Sequence, residues 1–454
     1  MAHQVVVADE QYVFLSKTRN QLFLLIGVGV LFLIIGLFMA INEPKHEGGE
    51  HHGAVDKTEM VATVQHGSTD TEHQQAAPTE HGSPTWLKRL YTTLWMNNVY
   101  FAGMGIIGLF FVAIQYVSQA GWSAGLLRIP MAMGRWIPIA GIIMLVLWFI
   151  THHDIFHWTH ADLYSGPDKD AIISKKAPFF FFPLAAGTFP LFFIFRMVLF
   201  FGMWYWFYTL IRRNMLAEDL EGSVTTYWYK NRTISTWFLL FFAVSSSVAA
   251  WDWVMSIDTH WFSTMFGWYM FASWWVTALA VIALIAANLK SAGYLKVVNS
   301  NHLHDIGKFV FGFTIFWTYI WFSQFMLIYY ANIPEETVYF IERMSTSPYS
   351  WIFYANLILN FVLPFLLLMT RDAKRQISTL KLVTPIIIVG HWFDFFNMIT
   401  PGVMHEHGGI GFMEIGTALI FAGFYLFVVL SGLTRMPLIG KNHPMLEESL
   451  HHHI

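Results

Sequence analysis

Ten long apolar stretches constrain this chain more than any other feature of its sequence. A helix needs about 20 mainly apolar residues to cross a bilayer. Of all residues, 56% are hydrophobic and only 12% are charged, whereas soluble domains carry about 25% charged residues. The sequence therefore predicts an all-α, polytopic membrane protein with ten transmembrane helices, at 21–41, 97–117, 136–152, 180–211, 234–251, 262–288, 308–330, 351–370, 382–399 and 412–433.

Lysine and arginine are distributed unevenly over the connections between these stretches. Most of them lie near the two termini and in the even-numbered connections, for example Arg128, Arg212, Arg213 and Lys374. Cytoplasmic connections carry an excess of Lys and Arg. We therefore expect both termini in the cytoplasm, which agrees with an even number of spans. The first apolar run is too long for the core of a signal peptide, so we expect it to be a retained span.

The order of these stretches predicts how the chain is divided. We expect an N-terminal segment with the first span (1–41), a periplasmic loop (42–96), two four-helix bundles (97–252 and 262–399) and a last span with a cytoplasmic tail (400–454). The loop is rich in His, Gly, Glu, Gln, Thr and Ser and is expected to be largely disordered. The two bundles contain spans 2–5 and 6–9, with spans 1 and 10 flanking them.

A weak parallel repeat favours the two-bundle arrangement. The fifth span ends in Trp251-Asp252, and the ninth contains His391-Trp392-Phe393-Asp394, which runs in the same direction. The tail ends in His451-His452-His453 before Ile454, and we assign no function to it from the sequence.

Histidine and cysteine usage limits the metal and haem chemistry of the chain. There is no cysteine, which excludes disulfides, covalent c-type haem and thiolate-held iron–sulfur clusters on this chain. His152, His153, His157 and His160 have helical spacing but no second histidine box accompanies them. Haem b needs two histidines inside spans, and only His391 lies well within one. A bound metal and haem b are therefore both disfavoured.

Proton handling is the chemistry that the titratable residues in and beside the spans favour. Carboxylates and imidazoles inside a helix bundle can hold protons and pass them through water. Arg196 is expected to need a carboxylate partner, either Asp252 or Asp154, and a purely structural ion pair is the alternative interpretation. Asp305 is expected to cap the seventh span, or to form a cytoplasmic proton entrance with His304. The full candidate set is Arg196, Asp252, His391, Asp394, His153, Asp154, Glu414, His304 and Asp305.

Three segments resemble a known family. They are His-Leu-His-Asp-Ile-Gly-Lys-Phe-Val-Phe-Gly-Phe-Thr-Ile-Phe-Trp-Thr-Tyr-Ile-Trp-Phe-Ser-Gln-Phe at 302–325, Ile-Tyr-Tyr-Ala-Asn-Ile-Pro-Glu-Glu-Thr at 328–337, and Trp-Asp-Trp-Val-Met-Ser-Ile-Asp-Thr-His-Trp-Phe-Ser-Thr-Met-Phe-Gly-Trp-Tyr at 251–269. In these segments, and in its order of spans, the chain resembles ActF, a membrane subunit of alternative complex III. It is more distantly similar to the NrfD/polysulfide-reductase membrane subunits.

The resemblance implies a place in a bacterial respiratory chain. The complex is a quinol:cytochrome c oxidoreductase of the inner membrane that oxidises menaquinol, and its ActF subunit carries no redox centre. The implied partners are pentahaem and monohaem cytochrome c subunits, an iron–sulfur subunit, the sister membrane subunit ActC, small membrane subunits and a terminal oxidase. Haem c and iron–sulfur clusters belong to those partners, menaquinone is the candidate ligand, membrane lipids surround the chain, and nucleic acid is not expected.

Three functions remain open from the sequence. The leading expectation is a non-redox subunit that supports menaquinol oxidation and translocates protons. The alternatives are a quinone-binding catalytic subunit of the same complex and an independent membrane transporter. Pro183 and Pro190 in the fourth stretch and Pro364 in the eighth match loosely between the two halves, as broken helices of transporters do.

Overall fold

Ten long apolar helices build the molecule in a computed structural model, which describes residues 10–42, 83–167, 169–221 and 225–453. Each is long and apolar enough to cross a membrane, as predicted. We number these helices α1–α10. They span Ser16–Ile41, Thr85–Ser118, Arg128–Ile155, Leu191–Leu220, Thr226–Ile257, Phe266–Ser291, Ser300–Ala331, Ser350–Leu367, Ile377–His407 and Phe412–Leu433. The described residues contain no β-strand.

Shorter helices fill the connections. The α-helical ones are Ala171–Phe181, Pro334–Ser345, Arg371–Arg375 and Leu446–Leu450, and the 3-10 turns are Gly121–Gly125, His157–Thr159 and Ala161–Tyr164. Four of the ten helices also contain irregular segments, of which those at the ends of α5 and α9 are 3-10 turns at Met255–Ile257 and His405–His407. The helix α3 changes to a 3-10 turn at Gly134–Trp136, and α8 contains a π-helical segment at Ile358–Val362.

Two predicted boundaries were wrong. The helix α2 begins at Thr85 rather than at residue 97, so the end of the predicted disordered loop is helical. Lys88 and Arg89 interrupt the apolar pattern there without stopping the helix, because long basic side chains can reach a polar partner from a helix end. The rest of that loop, residues 43–82, lies outside the described residues.

The predicted fourth span is not one continuous helix. A short helix ends at Phe181, the chain turns through Pro183, Gly187 and Pro190, and α4 begins at Leu191. Proline lacks the amide donor that a helix interior needs, so two prolines this close together end the first helix and start the second.

The long helices form two rings of four. In the first bundle α2, α3, α4 and α5 pack in sequence and α5 closes on α2; in the second, α6, α7, α8 and α9 do the same. The two bundles share a wall because α2 contacts α6 and α9, and α5 contacts α6. As a result, α2 and α6 are the most buried of the ten helices. This arrangement matches the two predicted bundles with flanking α1 and α10.

Glycines bring α1 and α10 into close contact outside the bundles. A Cβ atom built on Gly416 would lie 2.5 Å from the Leu33 nitrogen and 2.7 Å from the Gly29 oxygen. Gly36 and Gly423 approach the partner helix in the same way. Small residues at such a contact let two helix backbones approach closely inside a membrane. The contact explains how a lone N-terminal span joins the rest of the fold.

The two ends of the helical bundles differ in the chain segments that they carry. One, which we call the terminal end, holds the first and last described residues of the chain: the Glu10 carboxylate accepts hydrogen bonds from the Leu295 and Lys296 amides, and the Glu10 carbonyl accepts one from Leu438. The other, which we call the histidine end, holds His152–His160. The C-terminal histidines are part of the packed structure, since His452 Nε2 lies 2.7 Å from Asp305 Oδ2.

Candidate functional site

A buried carboxylate, Asp394, stands at the centre of the second bundle. Its Oδ1 accepts hydrogen bonds from the Tyr269 hydroxyl and from Asn356 Nδ2 (2.9 Å), and its Oδ2 accepts one from Trp317 Nε1 (2.9 Å). These donors come from α6, α8 and α7, so every helix of the second bundle contributes to the site. Asp394 itself is fully buried. Burying a carboxylate is costly unless hydrogen bonds satisfy it, and this network supplies three.

His391 lies one helical turn before Asp394. Its Nδ1 is 2.9 Å from Ser273 Oγ and 3.8 Å from Asp394 Oδ2. Its Nε2 is buried and has no hydrogen-bond partner among the described residues. A neutral imidazole can accept a proton at one ring nitrogen and release one from the other. His391 and Asp394 therefore form a pair that can hold and pass a proton.

A small cavity adjoins this network toward the histidine end. Tyr269 and Asn356, which both bind Asp394, form part of its wall, and Asn397 and Arg343 form another part. The space that the centre of a water molecule can occupy is about 20 Å³. One buried water needs about 10–15 Å³ by this measure together with polar partners. Both side-chain polar atoms of Asn397 lack a partner in the described part of the chain, so the cavity suits one bound water.

Arg343 connects the cavity with the histidine end. It donates to Asp258 Oδ2 at 2.8 Å, to the Asn397 carbonyl at 2.7 Å and to the Tyr339 carbonyl at 2.8 Å. The Asp258 side chain is 17% exposed, so it meets the surface. Burial raises the pKa of the Asp258 carboxyl, and Arg343 only partly opposes this effect. Asp258 is thus a protonatable group between the cavity and solvent.

A buried ion pair joins α4 and α5 of the first bundle near the histidine end. Arg196 Nε donates to Asp252 Oδ2 at 2.7 Å and Nη2 donates to Oδ1 at 2.6 Å. The rings of Phe179 and Phe192 cover the guanidinium at 4.2 and 4.4 Å. Of the two expected partners, Asp252 is therefore the one that pairs with Arg196. A bidentate pair of this kind fixes both side chains in place.

Asp154 and His153 have other partners, near the start of α2. Asp154 accepts hydrogen bonds from the Ser83 hydroxyl at 3.0 Å and the Ser83 amide at 3.4 Å. His153 Nδ1 lies 3.5 Å from Thr159 Oγ1, and its carbonyl contacts His160 Nε2 at 2.8 Å. These contacts anchor the turn after α3 and do not reach Asp252 or Asp394.

Glu414 ties α10 to α2 at the histidine end. Arg89 Nε donates to one Glu414 oxygen at 2.6 Å and Nη2 donates to the other at 2.8 Å. Glu414 also accepts the Gly411 amide at 2.8 Å, which caps its own helix. The pair fixes the ends of two helices to each other.

His304 and Asp305 lie at the terminal end, as expected, but Asp305 does not cap α7. The cap is Asn299, whose side chain accepts the Asn301 and His302 amides. The apolar pattern starts later than the helix, and this explains the wrong prediction. Asp305 instead contacts Lys308 at 3.1 Å and His452 at 2.7 Å. Because His452 belongs to the tail, the tail covers this pair.

The structure brings His391 and Asp394 together and leaves the other predicted residues in separate groups. The sequence interpretation missed Tyr269, Trp317, Asn356 and Arg343, all of which complete the site around Asp394. Asn356 and Asn360 are polar residues four positions apart inside an apolar stretch. This spacing places both on one face of a helix and predicts a polar site in the bundle interior. Tyr269 and Trp317 are hidden among 18 tyrosines and 20 tryptophans.

Known proteins add no information about this site. No protein-family model matches the chain, and no curated protein matches its sequence. Its function is therefore argued from the geometry of the described residues.

Proposed function

We propose that this polytopic membrane protein conducts protons through its second bundle, as a non-redox subunit of the quinol:cytochrome c oxidoreductase alternative complex III. The observation that carries the proton role is the His391–Asp394 pair, buried in the bundle and adjoining a water-sized cavity. The resemblance of the segments at 251–269 and 302–337 to ActF motivates the assignment to that complex.

The proposed path runs from Asp394 to the histidine end. A proton on the Asp394 carboxyl passes to the water in the cavity through the Tyr269 hydroxyl, which takes up this proton as it releases its own to the water, while Asn356 holds the carboxyl group in place. From that water it reaches Asp258, beside Arg343. Tyr269 and Arg343 line the cavity, and Asp258 is joined to it by its hydrogen bond with Arg343. His391 holds the next proton behind Asp394, because its Nδ1 faces Asp394 and its Nε2 is free to receive one.

The first experiment tests the assignment to the complex. The full-length chain is tagged, purified gently from bacterial membranes and examined for haem absorption and accompanying subunits. We expect c-type cytochromes and an iron–sulfur protein to purify with it. Purification of the chain alone would contradict the assignment.

The second experiment tests the proton role. The purified assembly is reconstituted in liposomes with a pH indicator, and quinol-driven proton release is compared for the unchanged protein and Asp394→Asn. We expect the variant to lose proton release per electron while it still oxidises quinol with an uncoupler present. Asp162→Asn, which changes an exposed carboxylate at the same end, is the matched control. Unchanged proton release in Asp394→Asn would refute the proton role and leave the assignment to the complex standing.

A specific observation favours one further candidate, an independent transporter. The chain is broken before α4, between Phe181 and Leu191, and α8 is interrupted by a π-helical segment and Pro364. These interruptions occupy the third helix position of each bundle, which is typical of transporter repeats. Purification without redox subunits, together with uptake of a solute by liposomes that contain only this chain, would favour the transporter.

A further inference from the structure

A second group of buried titratable side chains lies at the terminal end of the first bundle. Glu218 and Asp219 stand at the end of α4, opposite Arg128 at the start of α3 and Tyr116 near the end of α2. Glu218 is 22 residues after Arg196 on the same helix, which is about 33 Å at 1.5 Å per residue. The group is therefore separate from the Arg196–Asp252 pair.

The only guanidinium in this group is already engaged by Asp219. Arg128 Nη2 donates to Asp219 Oδ2 at 2.6 Å and to the Met215 carbonyl at 3.3 Å. Asp219 Oδ1 also accepts the Lys441 amide at 3.2 Å. Glu218 is only 1% exposed, and its Oε1 has no hydrogen-bond partner in the described part of the chain.

Several other buried polar atoms of this group lack hydrogen-bond partners within the described residues. They are Arg128 Nη1, the Tyr116 hydroxyl, Asn231 Nδ2 and His443 Nε2. Asn231 uses its other side-chain atom to accept from Asn214 at 3.0 Å, and the His443 ring packs on Tyr116. Buried polar atoms are almost always satisfied by protein or by ordered water. Donors and acceptors gathered in one place, without partners among the described residues, are the polar partners that ordered water needs, and we call the space that they face the chamber.

The charges around this chamber determine the state of Glu218. Burial, with Arg128 close by, lowers the pKa of His443 to about 4, so this imidazole is neutral near pH 7. The charges that act on Glu218 are those of Arg128 and Asp219, which oppose each other, and the exposed Lys441 acts on Asp219. An ionised Glu218 would therefore add an uncompensated buried charge, which is costly. A protonated Glu218 avoids that cost and gains a donor for the chamber water.

We propose that Glu218 carries a proton and exchanges it, through water in this chamber, with the aqueous phase at the terminal end. The proton passes from water to the Glu218 carboxylate and returns to water from the carboxyl group. Transfer onward to Asp252 is blocked by Phe238 and Phe242, which are buried on the same face of α5. Ser235 and Ser245 flank this apolar block, about 15 Å apart along the helix. The site thus belongs to the terminal end alone.

Infrared spectroscopy of the full-length protein in lipid nanodiscs tests the proton on Glu218 directly and needs no turnover. A protonated carboxyl group has a carbonyl stretch apart from that of carboxylates. We expect Glu218→Gln to remove one such band, and the exposed-site control Glu447→Gln to remove none. We also expect this band of the unchanged protein to shift when H₂O is replaced by D₂O, as the proton exchanges with bulk water.

A second variant keeps the test decisive if Glu218→Gln folds poorly. Asp219→Asn leaves the Arg128 guanidinium without its carboxylate, and we expect Glu218 to ionise beside it, so that the same band disappears. A protonated-carboxyl spectrum unchanged by Glu218→Gln would overturn the proposal. A band that belongs to Glu218 but does not shift in D₂O would overturn exchange with the aqueous phase.

Proton release in the reconstituted assembly separates this proposal from the proposed function. We expect release to be lost in Asp394→Asn and kept in Glu218→Gln, because Glu218 exchanges its proton with the terminal end alone. Loss in both variants would overturn the isolation of Glu218 from the proton path and leave the proposed function intact. Normal release in both variants would refute the proposed function, while the infrared result would still decide whether Glu218 carries an exchangeable proton.

Discussion

The exchange of Asp394 for asparagine removes one acceptor and keeps the size of the side chain. The amide oxygen can occupy the position of Oδ1, where it still accepts from Tyr269 and Asn356. The amide nitrogen then faces Trp317 Nε1, which is also a donor. One charge-assisted bond is lost and a buried indole N–H is left without an acceptor. Hydrogen bonds to charged groups contribute about 1.5–3 kcal/mol, so we expect the free energy of unfolding to fall by that amount.

A double-mutant cycle isolates the contact. In the Trp317→Phe background the indole N–H is absent, so the amide nitrogen introduced by Asp394→Asn does not face another donor. We expect the cost of Asp394→Asn to fall by about 1.5–3 kcal/mol in that background, measured by reversible unfolding of the full-length chain in mixed detergent micelles. Such coupling energies are expected only between residues in contact.

Two results would refute this reasoning. A cost of Asp394→Asn that is the same in both backgrounds would show that Trp317 does not bind Asp394. A stabilising effect of Asp394→Asn alone would show that desolvation of the carboxylate outweighs its three hydrogen bonds.

Three further predictions concern other parts of the fold. Arg196→Ala leaves Asp252 buried without its partner and should cost about 3–5 kcal/mol of unfolding free energy, most of which Asp252→Asn in the same chain should restore. Gly416→Val places a branched side chain against the backbone at Gly29 and should separate α1 from α10, seen as lost cysteine cross-linking between introduced pairs. The pKa of His443 is lowered to about 4 in the folded protein, against an ordinary value of 6.5, so between these two pH values the unfolded chain binds more protons than the folded one. The free energy of unfolding should therefore fall as the pH drops from 6.5 to about 4. The melting temperature of His443→Gln should depend less on pH in this range.

Hydropathy predicts the helices because a helix that crosses the lipid needs a continuous apolar stretch, and this need does not depend on which other helices it contacts. It places the start of α2 too late, because Arg89 satisfies its charge by a contact that lies far away in sequence. Arg89 pairs with Glu414, 325 positions later. Such a partner leaves no mark on the local pattern.

The candidate site was predictable only where polarity is unusual within a span. Asp394 and His391 are conspicuous because charged or titratable groups are rare there. The donors that satisfy Asp394 are not conspicuous, since tyrosine and tryptophan are common throughout this chain. Glu218 was overlooked for the opposite reason: it lies near a span end, where carboxylates commonly meet water. Only the packing of α2, α3 and the C-terminal segment shows that it is buried.

The contact between α1 and α10 determines the order in which this fold can be completed. The helix α1 leaves the ribosome before α2–α10, yet it packs almost entirely on α10 and only slightly on α2. Until residue 416 has been synthesised, the glycine face of α1 has only lipid to contact. A chain that stops after α9 therefore retains both bundles but leaves α1 unanchored. Closure of the fold thus waits for α10, and membrane quality control can recognise a chain without α10 by that one loose helix.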